Sequence, residues 1–305
     1  MTELAVSVSH LAKNFGDIQA VVDASFEIQR GEIFGLLGPN GAGKTTCIRI
    51  MLDIFRADSG QVSILDGPMD EAKKDRIGYM PEERGLYQDI ALEPCLVYLG
   101  RLKGLTESEA HRRIDAYLER FDLAAYRKKK VKELSKGMQQ KAQIISTILH
   151  QPELILMDEP FTALDPLNVQ LVKDLFRELR DQGMTILMST HQMHQVEELC
   201  DRLVLIDHGR DVLYGDLDEI RRRFMGHAVW VHPKGDLPQL AGVLSVDRHN
   251  DSIRLNLRQE TSPQEVLQEL VNRGITLEKF EIAIPTLDEI FIRVVGGDST
   301  QESQA

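Results

Sequence analysis

Along the first two thirds of the chain, short apolar or β-branched runs alternate with amphipathic stretches, the pattern of a largely parallel α/β sheet with antiparallel additions. It predicts strands over 4–8, 20–28, 33–37, 61–65, 154–157, 185–189 and 203–206, the fourth closing on the turn pair Asp66-Gly67. Helices are expected over 44–54, 107–121, 136–149, 167–182 and 193–199. In the second helix, Thr106 and Glu109 stand at capping-box spacing, and Ala110, Ile114, Tyr117, Leu118 and Phe121 form one apolar stripe. After Arg221-Arg222-Arg223 the texture changes. An alternating strand over 229–232 is followed by a hairpin turning at Asn250-Asp251, a helix opened by Ser262, Pro263 and Glu265, and another opened by Thr286 and Glu289. This reads as a larger domain over 1–225, a small α+β domain over 226–296 and a polar, disordered tail over 297–305.

The chain has 305 residues, 42% of them hydrophobic, enough for real cores and too many for a disordered or fibrous protein. Its formal charge of −12 argues against a general grip on nucleic acid. The longest apolar runs, such as Leu154 to Met157, fall far short of the ~20 residues that cross a bilayer. The N-terminal residues lack the basic and long apolar stretches of a secretory signal. Cys47, Cys95 and Cys200 are odd in number and without a C-x-x-C, which fits a reducing compartment.

Two segments carry chemistry. Gly38-Pro39-Asn40-Gly41-Ala42-Gly43-Lys44-Thr45, continued by Thr46, satisfies G-x-x-x-x-G-K-[ST] between an apolar strand and a helix. Backbone N–H groups in such a loop close around phosphate oxygens, Lys44 neutralises the β/γ-phosphates and Thr45 supplies a magnesium ligand; the bland alternative is a turn that merely caps a helix. The second segment, Leu154 to Pro160, is a buried strand ending in Asp158 and Glu159, placed at a sheet's carboxyl edge to hold magnesium and to deprotonate an attacking water, respectively. Pro160 is expected to push Glu159 into an extended conformation. On its own, the acidic pair could equally be a solvated turn.

These segments, with others in order, resemble the nucleotide-binding subunit of an ABC transporter over roughly residues 4–225. Val131 to Gln140, containing Leu134-Ser135-Lys136-Gly137, is similar to the family's signature, Ala163-Leu164-Asp165 to its D-loop and Ser189-Thr190-His191 to its switch histidine. The resemblance implies a P-loop NTPase of the ABC cassette type, α/β with a helical subdomain, binding ATP and Mg2+. It implies Phe15 as the aromatic stacked on adenine, His191 as a γ-phosphate contact, and Ser135 and Gly137 reaching the γ-phosphate held by a second subunit in a head-to-tail dimer. Read from the residues alone, Ser135 is an N-cap, Asp165 before Pro166 is an N-cap with proline at N1, and His191 is a strand-end histidine. His191 and His194, three apart without a third ligand, make no metal site.

The chain departs from the family pattern in two places. Glu82 stands where glutamine is usual, a carboxylate that can still reach magnesium or water, and Lys136 and Met138 replace a glycine and a glutamine of the signature. Arg127 to Lys130 is a solvated basic face or a contact with a membrane partner. The motifs and the extra C-terminal domain resemble the branch serving sodium- or drug-extruding ABC-2 permeases. The implied function is an ATPase coupled to export through a separate integral-membrane permease, working as a homodimer or with a similar subunit at the cytoplasmic face of the membrane, with no nucleic acid expected. The competing reading, a soluble ABC-type ATPase acting on ribosomes or DNA, lacks the second cassette or long coiled coil usual there; a small-molecule kinase leaves Leu134 to Gly137 unexplained.

Overall fold

A computed structural model describes residues 3–83, 85–225, 228–234, 237–249, 252–258 and 260–295. The expected turn at Asn250-Asp251 and the tail 297–305 lie outside the described residues. The chain divides into two compact units, Met1–Asp216 and Leu217–Ala305. The division falls at 216/217, against the 225/226 read from the sequence, so the helix ending in Arg221 to Arg223 clusters with the C-terminal unit.

In the first unit, β1 (Leu4–Phe15), β2 (Ile18–Gln29), β3 (Ile33–Leu37), β4 (Ser59–Ile64), β5 (Ile77–Met80), β6 (Leu154–Asp158), β7 (Thr185–Thr190), β8 (Arg202–Asp207) and β9 (Arg210–Asp216) form one sheet, ordered β4-β1-β2-β9-β8-β3-β7-β6-β5. From β8 to β5 the strands run parallel, while β1 pairs antiparallel with β2 and β4, and β9 with β8. The middle strands β3, β6 and β7 are buried at every position, as expected of a sheet covered on both faces. The helices are α1 (Lys44–Met51), α2 (Glu71–Lys74), α3 (Leu92–Leu102), α4 (Glu107–Arg120), α5 (Lys136–Ile148), α6 (Pro166–Asp181) and α7 (Met193–Leu199).

Two of these strands and two of these helices do not stand out in the residue pattern. Strand β5 has only four residues, β9 is interrupted by charge and by Gly215, and α2 is a single turn. Helix α3 carries Pro94 in its first turn, where no backbone N–H is needed and proline is tolerated. Helix α4 matches its capping signal: Thr106 Oγ1 accepts from the Glu109 N–H at 3.2 Å, and Ala110, Ile114 and Leu118 are buried.

The C-terminal unit contains α8 (Leu217–Phe224) and an antiparallel sheet of β10 (Ala228–Pro233), β11 (Val243–His249), β12 (Ser252–Leu257) and β13 (Leu277–Ile282), ordered β11-β12-β10-β13, with helices α9 (Pro263–Asn272) and α10 (Leu287–Val295). Val229, Val231, Leu255, Leu257, Val266 and Leu270 form its core. Ser262 and Glu265 close a capping box on α9. No helix among the described residues is long and apolar enough to cross a membrane.

Candidate functional site

The sheet order assembles the site. Strands β3 and β6 both flank β7, so the loop leaving β3 and the acidic end of β6 emerge one strand apart, with the end of β7 between them. They open into one cavity of about 520 Å³. Its lining comprises Asn40 to Thr46, the group Glu82, Asp158, Glu159, Thr162 and His191, and Ile18, Gln19 and Ala20.

The loop is shaped by its glycines at both ends, and at Gly38 a Cβ would lie 2.2 Å from the Ile206 carbonyl oxygen. Gly43 has φ +109°, and a Cβ there would lie 2.4 Å from the Ala20 carbonyl oxygen, so only glycine fits. No side chain caps α1, which starts at Lys44, so its first N–H groups face the cavity as an anion-binding end. Lys44 is buried, and its Nζ donates to the carbonyl oxygens of Gly38 at 2.7 Å and Pro39 at 3.1 Å. Burial lowers its pKa below the ordinary lysine value, against the opposing pull of Glu159, Asp158 and Glu82. Glu82 is therefore within electrostatic reach of the loop, although its side chain is exposed.

The end of β7 ties both carboxylates down. Thr45 Oγ1 donates to Asp158 Oδ2 at 2.6 Å, and the Ser189 hydroxyl donates to Oδ1. One residue further on, Thr190 Oγ1 donates to Glu159 Oε2 at 3.1 Å, and the His191 N–H donates to Oε1 at 3.1 Å. His191 Nδ1 is 2.7 Å from the same Oε1, a hydrogen bond that the Nδ1–H tautomer donates to the carboxylate.

Glu159 is not extended. Its φ is +52°, in the left-handed region, which corrects the expectation drawn from Pro160. Proline disfavours the right-handed helical region for its predecessor, and the tight return from β6 selects the left-handed well instead of the extended one. That conformation costs a non-glycine residue roughly 1–2 kcal/mol. It is offset by the hydrogen bonds just described, each contributing about 0.5–1.5 kcal/mol, and by the Glu159 N–H donating to Ser189 O at 3.0 Å.

Phe15, Ser135, Gly137 and Asp165 do not line this cavity. Phe15 ends β1, 41% exposed, with its ring edge-on to Phe55 at 5.3 Å and Lys13 Nζ 5.4 Å from its centroid. Ser135 caps α5, its Oγ accepting from the Met138 N–H at 3.2 Å. Asp165 caps α6, accepting from the Asn168 N–H at 3.0 Å, so locally both follow the plain capping reading. Gly137 packs so closely on the loop after β6 that a Cβ would lie 2.8 Å from the Ala163 carbonyl oxygen. The residue pattern did not point to Ile18, Gln19, Ala20 and Thr162; the first three follow the turn after β1 and carry no motif.

A phosphate-cradling loop opening a helix, with an acidic strand one strand removed, defines a P-loop NTPase. Residues 21–162 match the ABC transporter family model, and residues 215–295 match the C-terminal domain of DrrA1-3-like ATP-binding proteins. The chain is 42% identical over 294 residues to the uncharacterised ABC transporter ATP-binding protein YhaQ of Bacillus subtilis (strain 168), covering 95% of this chain and 98% of that protein. It is 32% identical over 310 residues, 98% of each chain, to the daunorubicin resistance ATP-binding protein DrrA3 of Streptomyces coeruleorubidus. A solved ATP-binding subunit of an ABC transporter superposes with TM-score 0.68 at 34% identity, covering 72% of this chain and 93% of that one. The chain belongs to the ABC transporter ATP-binding subunits; it is a nucleotide-binding ATPase, homologous to the ATPases of export-type transporters.

Proposed function

We propose that Lys44 and the N–H groups of residues 40–46 hold the triphosphate, that Glu159 takes the proton of the attacking water, and that His191 orients Glu159 and meets the γ-phosphate. The observation that carries this reading is the placement of Glu159: one buried carboxylate, fixed by Thr190 and His191, in the same cavity as Lys44 and Thr45. Adenine stacks on the exposed face of Phe15.

The donor set fits magnesium. Thr45, Asp158 and Glu82 offer hard oxygen ligands, and among the described residues no group of three or more His, Cys, Asp or Glu could close around a metal. Such a site suits an ion that keeps waters and phosphate oxygens in its shell. When bound, Mg2+ neutralises the charge on the β- and γ-phosphates.

Two copies then clasp ATP head to tail, Ser135, Gly137 and Asp165 of one facing the γ-phosphate on the other, and the cycle drives export through a separate permease at the cytoplasmic face of the membrane. Support for export comes from relatives such as DrrA3, whose name records drug resistance. Glu159→Gln tests the core of this reading: sedimentation should show ATP-stabilised dimers while phosphate release falls at least ~100-fold. Wild-type turnover in this variant would remove Glu159 from its role.

A further inference from the structure

Helix α5, which begins at the signature serine, also holds both acidic loops from one face. Gln140 and Gln143 lie three residues apart and therefore side by side on it. Gln140 Nε2 donates to the carbonyl oxygens of Pro160 at 2.9 Å and Glu159 at 3.3 Å. Gln143 is buried, and its Nε2 donates to the carbonyl oxygens of Pro81 at 2.8 Å and Glu83 at 3.2 Å, bracketing Glu82. From the other side, Arg49 Nη2 holds the Glu83 carboxylate at 2.9 and 3.1 Å. The backbone of Glu159 is in a conformation that persists only when its surroundings fix it, and Gln140 supplies the anchor on its carbonyl side.

We infer that Gln140 and Gln143 are positioning residues for ATP hydrolysis: Gln140 keeps the Glu159 carboxylate aimed, and Gln143 keeps Glu82 turned toward Lys44 and Asp158. The inference rests on the roles proposed above for Glu159 and Glu82. Since both glutamines ride on the helix whose tip is Ser135, a shift of that tip is transmitted to both carboxylates through amide hydrogen bonds. A glutamine that only satisfied buried carbonyls would affect stability and leave the kinetic constants alone.

The test uses the full chain and compares phosphate release, ATP affinity measured without magnesium, and the Mg2+ concentration giving half-maximal rate. Gln140→Leu should lower kcat by about tenfold or more while ATP affinity stays within about twofold. Gln140→Lys, whose ammonium can donate to the same two carbonyls, should restore most of the rate. Gln143→Leu should raise the half-maximal Mg2+ concentration about tenfold, with kcat recovering at saturating Mg2+. Wild-type kcat in Gln140→Leu, equal losses in kcat and ATP affinity, or equal impairment in the leucine and lysine variants overturns the role of Gln140; an unmoved Mg2+ requirement overturns that of Gln143. If the leucine variant of Gln140 does not fold, Gln140→Glu, which turns an acceptor toward the same carbonyls, carries the same readout. Glu159→Gln and Glu82→Ala, measured alongside, separate the failures. An active Glu159→Gln refutes the base assignment itself, whereas an inactive one beside a fully active Gln140→Leu refutes only the positioning.

Discussion

Glu159 and His191 share two hydrogen bonds on a single carboxylate oxygen, one from the His191 backbone N–H at 3.1 Å and one from its ring Nδ1 at 2.7 Å. Turning the ring breaks the shorter of the two and leaves the carboxylate to the backbone N–H and the Thr190 hydroxyl. His191→Ala removes the ring hydrogen bond to Glu159 Oε1, leaves the backbone N–H in place and takes the ring out of the cavity. Steady-state phosphate release should fall about 100-fold, with ATP affinity changed by less than about threefold. A parallel loss of binding would instead make His191 a ground-state contact.

Lys44→Ala removes the cation from the loop and leaves the Gly38 and Pro39 carbonyls without their donor. A charge-assisted hydrogen bond contributes about 1.5–3 kcal/mol, so calorimetry should show ATP binding weakened roughly 10- to 100-fold. Because burial lowers the Lys44 pKa, affinity in the wild-type chain should also begin to drop at a pH below that at which an exposed lysine deprotonates.

Gly137→Ala drives a methyl group to 2.8 Å from the Ala163 carbonyl oxygen. Overpacking of this kind costs about 1–3 kcal/mol. ATP affinity of the isolated subunit should be unchanged, whereas ATP-dependent dimerisation, followed by sedimentation, should weaken by at least about tenfold. Undisturbed dimerisation would detach the signature turn from the second nucleotide.

His150 connects stability to pH. Burial, reinforced by the Lys103 charge, pushes its pKa down to about 4 from an ordinary 6.5, and its ring Nε2 lies 3.2 Å from the Ile77 carbonyl oxygen. With the folded value depressed, the unfolded chain binds the extra proton between those two pH values. Stability should therefore fall as pH drops from about 6.5 toward 4. In His150→Gln, thermal unfolding across this window should show a shallower pH slope than the wild-type chain.

The fold was legible where burial leaves a strong pattern. Strand β6 is five apolar or acidic positions in a row, and its acidic end announces the sheet edge. Glycine, lysine and threonine at fixed offsets mark the phosphate loop because few other residues perform that task. The pattern hid what depends on distant partners. Gln140 and Gln143 resemble any helical glutamines until the chain brings Pro160 and Pro81 beside them, and Pro160 disfavours one backbone well for Glu159 without choosing between the other two. Helix α3 was concealed by a proline that its first turn accepts.

Between β2 and β9 the sheet is stitched by one ladder pair, Asp23 with Arg210, and by the Val22 and Asp23 N–H groups donating to Gly209 O. Ile18, Gln19 and Ala20 stand on the hairpin side of that narrow seam, and the loop 40–46 stands on the other. On the proposed reading, a nucleotide lying in the cleft bridges a join that the backbone itself leaves sparsely laced, and so serves as a mortar for the domain as well as its fuel.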